Sequence, residues 1–178
     1  MSKQTNSHPP ATQDDSDAGR REVARRHGRG RRSLSEYVER RNGIPLGSPG
    51  SLSEMLRRSF GADTLGGFWR HWNPIWGYYL GRYVNAPLRR VMPSGLAVVL
   101  TFIVSGLIHD LAISLVAGSP TLLFVPWFAL VGSMVVIGRR FGLRYPYRAW
   151  SVRASINVGF VGGAFGIVTV GRWLIGLS

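Results

Sequence analysis

Apolar residues are distributed unevenly along this chain. The first third is polar and charged, whereas the remainder contains long apolar stretches. Three of these stretches, 94–117, 121–138 and 154–171, approach the roughly 20 apolar residues that a helix needs to cross a bilayer. The pattern therefore predicts an all-α membrane protein with about three transmembrane helices.

The segment before the first span is amphipathic and aromatic. Residues 51–60 place their apolar side chains on one helical face, which predicts a helix that lies on a membrane surface or packs against protein. Residues 68–90 mix Trp and Tyr rings with arginines, a composition typical of the lipid headgroup layer. Pro74 and Pro87 bracket a predicted helix, about 75–85, that is too short and polar to span. We interpret this segment as interfacial or re-entrant.

The polar N-terminal part has no apolar periodicity. We predict that residues 1–45 form a disordered basic cytoplasmic tail, in which 34–41 is compatible with a short helix, and that 46–178 form the membrane domain. The arginine-rich run at 20–32 is suited to RNA or to anionic lipid. No aromatic stacking platform accompanies this run, so we predict anionic lipid rather than nucleic acid as its partner.

Charge predicts the topology. The formal net charge is +13, and beyond Asp63 the only acidic residue is Asp110. Arginines precede the first span and fill the loop between the second and third spans, whereas the turn at Gly118 is uncharged. The positive-inside rule then predicts a multi-pass integral membrane protein with a cytoplasmic N-terminus and an external C-terminus.

Several classes of chemistry are poorly supported. The chain has no cysteine, which excludes disulfides and thiolate nucleophiles. His71 and His109 are the only histidines beyond the tail, and no Gly-x-Ser-x-Gly motif is present. We therefore predict no metal site, no bound cofactor and no hydrolytic triad.

His109 lies well inside the first predicted span. An ionisable side chain in a span is costly and is a functional candidate by default, although a neutral histidine that bonds a neighbouring helix remains an alternative. Thr101, Ser105 and His109 repeat every four residues and form one polar stripe. We expect this stripe to face the protein interior or a polar cavity.

Asp110 follows His109 directly and points about 100° away round the helix. It should therefore not orient the imidazole. We predict that Asp110 instead forms a structural ion pair with one arginine of the aromatic segment, such as Arg82, Arg89 or Arg90.

An ordered set of motifs lies between residues 65 and 115. It comprises FWRHWN from Phe68 to Asn73, then Tyr83, then PLRR at 87–90, then TFIVSGLIHDL at 101–111. This set resembles the signature region of the membrane-bound O-acyltransferases, in particular the wax synthase-like branch of lipid metabolism. In the resemblance Asp110 stands where the family often has Glu.

The resemblance implies transfer of a fatty acyl group from acyl-CoA, a co-substrate, to the hydroxyl of a long-chain alcohol or glycerolipid. It makes His109 the catalytic residue and Asn73 the second active-site residue. An uncharged imidazole can take the alcohol proton, and Asn73 can hydrogen-bond the developing oxyanion or position a substrate. The arginines are suited to CoA phosphates, with lipid headgroups as the alternative. The predicted substrate-binding residues are Trp69, Arg70, Trp72, Tyr83, Arg89, Arg90 and Ser105.

Length separates this chain from the family pattern, since family members usually have more spans and enclose a tunnel. Three spans imply a lost N-terminal half, a second membrane chain or a homo-oligomer. The second hypothesis is therefore a non-catalytic membrane subunit or lipid-binding partner that retains half of the fold. Gly159/Gly163 and Gly162/Gly166 predict close helix packing, with packing inside the chain favoured over a dimer face.

Overall fold

The computed structural model describes residues 33–146 and 149–176, and over these ranges the chain is helical, with no strand. The predicted all-α class is confirmed. The helices are α1 Leu34–Asn42, α2 Ser51–Phe60, α3 Leu65–His71, α4 Pro74–Leu80, α5 Ser94–Ala117, α6 Phe124–Arg140 and α7 Trp150–Leu174. Helix α4 continues through a π-helical turn, Gly81–Asn85, and a short helical turn, Ala86–Leu88.

Within residues 33–146 and 149–176, two helices are long and apolar enough to cross a membrane. These are α5, with 24 residues, and α7, with 25 residues, which correspond to the first and third predicted spans. Helix α6 has 17 residues. At 1.5 Å per residue it is about 26 Å long, which is shorter than a hydrocarbon core of roughly 30 Å. The predicted second span at 121–138 is therefore a shorter helix that begins at Phe124.

Helices α5 and α6 form the most extensive helix pair, and glycines allow their close approach. A Cβ at Gly106 would lie 2.6 Å from the carbonyl oxygen of Phe124 and 2.8 Å from the Cα of Val125. A Cβ at Gly132 would lie 2.9 Å from the Cβ of Phe102. Real Cβ atoms do not approach backbone atoms this closely. The absence of a Cβ at Gly106 is therefore what lets α6 lie so close to α5.

Replacing Gly106 should therefore separate the two helices. We expect Gly106→Ala to lower the free energy of unfolding by about 1–3 kcal/mol, since backbone rather than a flexible side chain opposes the new methyl group. Thermal unfolding in detergent would measure the change. Gly162→Ala is the matched control, because a Cβ there meets no atom within 4 Å. Equal unfolding temperatures for the two variants would contradict the packing described here.

A buried asparagine joins α7 to the end of α2. The Asn157 side chain is fully buried, and its Nδ2 donates to the carbonyls of Phe60 and Ala62, both at 2.9 Å. The Tyr145 hydroxyl donates to Asn157 Oδ1. Trp150 Nε1 also donates to the Arg57 carbonyl at 2.9 Å. These contacts pack α2 against protein, which was one of its two predicted uses.

The glycines of α7 do not make the packing contacts expected of them. A Cβ at Gly159, Gly162, Gly163 or Gly166 would meet no described atom within 4 Å. The expectation that these glycines pack against another helix of the same chain is therefore wrong for the described residues. A dimer face stays a prediction.

Helix α1 lies inside the segment that we predicted as tail. Its Val38 side chain is 1% exposed, and the Tyr37 ring meets the Tyr78 ring of α4 edge to face, with centroids 5.4 Å apart. The predicted boundary at residue 45 is therefore wrong, because folded structure already begins at Leu34. The basic run at 20–32 lies outside the described residues.

Candidate active site

A cavity of about 440 Å³ lies among α3, α4, α5 and α6. Both predicted catalytic residues, His109 from α5 and Asn73 from the start of α4, line it. So do most of the predicted substrate-binding residues: Trp69, Arg70, Trp72, Arg89 and Ser105. Residues that are distant in sequence thus converge on one space.

The imidazole of His109 has a defined tautomer. Its Nδ1 lies 2.7 Å from the backbone carbonyl oxygen of Ser105. Since a carbonyl only accepts, Nδ1 must carry the proton, which leaves the Nε2 lone pair available as a base. The ring also packs on Phe124 and Phe128, with centroids 5.6 and 5.3 Å away. This arrangement fixes both the proton and the plane of the ring.

The polar stripe of α5 faces the cavity, where Thr101, Ser105 and His109 are all lining residues. Trp76 Nε1 of α4 donates to Ser105 Oγ at 2.9 Å, and Asn85 Nδ2 donates to Thr101 Oγ1 at 3.1 Å. These two bonds attach the aromatic segment to α5. The stripe therefore faces a cavity, as predicted, and its two hydroxyl groups accept hydrogen bonds from Trp76 and Asn85.

Asn73 has a left-handed backbone conformation, which suits an asparagine. Its φ is +40°, in the left-handed region, which asparagine tolerates better than most residues. The Oδ1 atom accepts the backbone N–H of Trp76 at 3.2 Å and so caps α4, with Pro74 as the first helical residue. No hydrogen bond within the described chain uses the Asn73 Nδ2 group, so it stays available as a donor.

Asp110 does not form the predicted ion pair. Its Oδ1 accepts the backbone N–H groups of Leu123 and Phe124 at 2.9 and 2.8 Å, and its Oδ2 accepts that of Val125 at 2.8 Å. The carboxylate is 2% exposed. The correction has a simple cause: the start of α6 presents free N–H groups and a positive helix end, which satisfy a buried carboxylate without an arginine.

The cavity is strongly cationic. Arg41, Arg70, Arg89 and Arg139 line it, and no acidic side chain does so in the part of the chain that the structure describes. Arg41 and Arg139 were missed because they lie far from the motifs in sequence and carry no local signal. An opening with four guanidinium groups is suited to a multiply charged anion such as a phosphate ester.

Other predicted residues lie elsewhere. Arg90 and Tyr83 do not line the cavity, and Tyr83 is 65% exposed and stacks on Tyr79. Arg82 Nη1 donates to the Tyr78 hydroxyl at 2.5 Å. The substrate contacts of Tyr83 and Arg90 therefore stay predictions, outside the cavity that the other predicted residues share.

The other histidine has a separate role. His71 does not line the cavity, and its Nδ1 lies 2.9 Å from the Arg41 carbonyl oxygen, so it donates there and joins α3 to α1. Burial lowers the pKa of His71, and the charges of Arg41, Arg58 and Arg70 act in the same direction. His71 is thus a neutral structural donor.

The fold and this cavity define a helical membrane protein with a histidine and an asparagine directed at one cationic space. Residues 52–130 match the sequence profile of the family described as membrane bound O-acyl transferase, which confirms the predicted resemblance over that region. The matched region begins at α2 and ends in α6, so it contains Asn73, His109 and Asp110. No curated protein and no solved structure showed a significant match to the chain.

Proposed function

We propose that the protein transfers a fatty acyl group from acyl-CoA to the hydroxyl of a long-chain alcohol or glycerolipid, as in the wax synthase-like branch of the family. The observation that carries the proposal is the position of His109, whose Nε2 is free to accept a proton in the same cavity that Asn73 lines. The family match, which names O-acyl transfer, supports the reaction type.

His109 acts as the general base in this proposal. Its Nε2 takes the proton of the alcohol as the alcohol oxygen attacks the thioester carbonyl carbon. The tetrahedral intermediate then collapses, the carbon–sulfur bond breaks, and the imidazolium returns its proton to the leaving thiolate. The products are an ester and free CoA, and the histidine ends as it began. The Ser105 carbonyl stabilises the imidazolium through the Nδ1–H bond.

Asn73 supplies a hydrogen bond to the developing oxyanion. Its Oδ1 is held by the Trp76 N–H, so rotation of the amide is restricted and Nδ2 is the group available for the substrate. Restricting the donor before the reaction removes part of the reorganisation cost. The amide therefore caps a helix with one atom and serves the reaction with the other.

The cationic side of the cavity accounts for the choice of acyl donor. CoA carries several phosphates, and Arg41, Arg70 and Arg89 offer planar donors that match phosphate oxygens in pairs. In the proposed topology the N-terminus is cytoplasmic, which places Arg41, Arg70 and Arg89, all of which precede α5, on the side where acyl-CoA is present. The apolar helices hold the acyl chain.

An assay with purified chain in lipid nanodiscs tests the proposal directly. Radiolabelled oleoyl-CoA is supplied with hexadecanol or diacylglycerol, and labelled ester is separated and counted. We expect time-dependent ester formation with one of the acceptors. Binding of oleoyl-CoA without any turnover would reject catalysis by this chain and favour the second hypothesis, a non-catalytic membrane subunit that keeps the binding cavity.

Substitution of Asn73 separates its two tasks. Asn73→Asp keeps an oxygen for the Trp76 N–H but removes the Nδ2 donor, so we expect a loss of kcat of about a hundred- to a thousand-fold with little change in folding. Asn73→Gly keeps the positive φ but removes both the Oδ1 atom that caps α4 and the Nδ2 donor. Should Asn73→Asp retain full kcat, the amide has no role in the reaction.

A further inference from the structure

A second cavity, of about 470 Å³, lies beside the first. It is bounded by the start of α3, the C-terminal half of α6, the loop at 141–146 and α7. Its volume lies within the range of ligand sites in proteins. Most of its wall is apolar and suited to a hydrocarbon chain, with contributions from Leu65, Met134, Val135, Ile137, Leu143 and Phe160.

Most polar groups in this wall already have partners. Thr64 Oγ1 accepts the backbone N–H of Gly67 at 2.9 Å. Arg144 forms an ion pair with Asp63, and the Tyr145 hydroxyl donates to Asn157. These groups therefore do not require a ligand.

Arg139 differs from them. It lines this second cavity, and no hydrogen bond or ion pair within the described residues satisfies its guanidinium. A Cβ at Gly66 would lie 3.4 Å from Arg139 Nε, so the side chain passes close over α3. A cation beside apolar surface and without a counterion is the arrangement that an anionic headgroup completes.

We propose that the second cavity binds an anionic phospholipid of the surrounding bilayer, with an acyl chain against the apolar wall and its phosphate on Arg139. Arg139, Gly66 and Val135 also line the first cavity, so the lipid would sit next to the space that holds His109. Acidic lipids are concentrated in the cytoplasmic leaflet. Arg139 lies on that side in the proposed topology, because it lines the first cavity together with Arg70 and Arg89, which precede α5. This binding does not depend on acyl transfer.

Native mass spectrometry of the full chain tests the site. Protein purified in a mild detergent is mixed with palmitoyl-oleoyl phosphatidylglycerol or with the zwitterionic phosphatidylcholine of the same chains. We expect one retained phosphatidylglycerol per chain and roughly ten-fold weaker retention of phosphatidylcholine. Equal retention of the two lipids would overturn the proposal.

Two variants locate the lipid. Arg139→Gln should reduce phosphatidylglycerol retention roughly ten-fold by removing the charge. Gly138→Leu should reduce it similarly by filling the cavity, because Gly138 lines this cavity alone and a Cβ there meets nothing within 4 Å. Unchanged retention in Arg139→Gln would refute the headgroup assignment even if Gly138→Leu fails to fold.

Three controls distinguish this site from other cations and from the first cavity. Arg140→Gln removes the neighbouring arginine, which lines neither cavity, and Gly162→Leu adds the same bulk to an open face of α7. Arg70→Gln removes a cation that lines the first cavity alone. All three should retain the lipid. Loss in Arg70→Gln equal to that in Arg139→Gln would place the lipid in the first cavity and overturn the proposal.

Discussion

His109→Ala should reduce kcat for acyl transfer by about a hundred- to ten-thousand-fold, the usual contribution of a positioned general base. The variant removes the Nε2 lone pair and, with it, the path by which the alcohol proton leaves. The Michaelis constant for acyl-CoA should change little, because the guanidinium groups that line the cavity are untouched. Ester formation at saturating oleoyl-CoA and acceptor measures the effect.

A matched control is the other histidine of the folded region. His71→Gln removes an imidazole that does not line the cavity and donates to the Arg41 carbonyl instead. We expect its kcat to fall far less than that of His109→Ala, with any loss accompanied by a lower unfolding temperature. Comparable losses in both variants, or full activity in His109→Ala, would remove His109 from the mechanism.

Asp110→Asn should lower the free energy of unfolding by about 2–4 kcal/mol. The carboxylate accepts three backbone N–H groups at the start of α6. An amide of the same shape keeps one acceptor oxygen but turns an N–H toward the backbone N–H of Val125 or of its neighbours. A buried donor then faces a buried donor, and the helix end loses its negative charge as well.

The effect should extend to catalysis. Phe124 belongs to the turn that Asp110 holds, and its ring packs against His109. We therefore expect Asp110→Asn to lose activity at temperatures below its unfolding transition. Asp63→Asn is the control, because the pair of Asp63 with Arg144 is exposed and such pairs contribute about 1 kcal/mol or less. If the two variants unfolded at the same temperature, the capping role of Asp110 would be wrong.

The sequence by itself determined the helical class, two of the spans and the two central residues of the proposed site. Hydrophobic length is a local property, so α5 and α7 could be read directly from runs of apolar residues. His109 stood out because an ionisable group within such a run is costly and needs a reason. Asn73 was identified from the ordered set of motifs, and the resemblance that these motifs indicated is confirmed by the family match over residues 52–130.

Only the tertiary structure decided the partners of these residues. The partner of Asp110 is the backbone of a turn 13 to 15 residues away, and backbone N–H groups leave no mark in an amino-acid sequence. Likewise Arg41 of α1 and Arg139 of α6 line the cavity. Both lie far from the motifs in sequence, so the motifs could not indicate them. The amino-acid sequence shows which polar side chains must avoid lipid, but the packing of the helices decides which groups bond to them, because backbone groups and charged side chains can both offset the cost of burial.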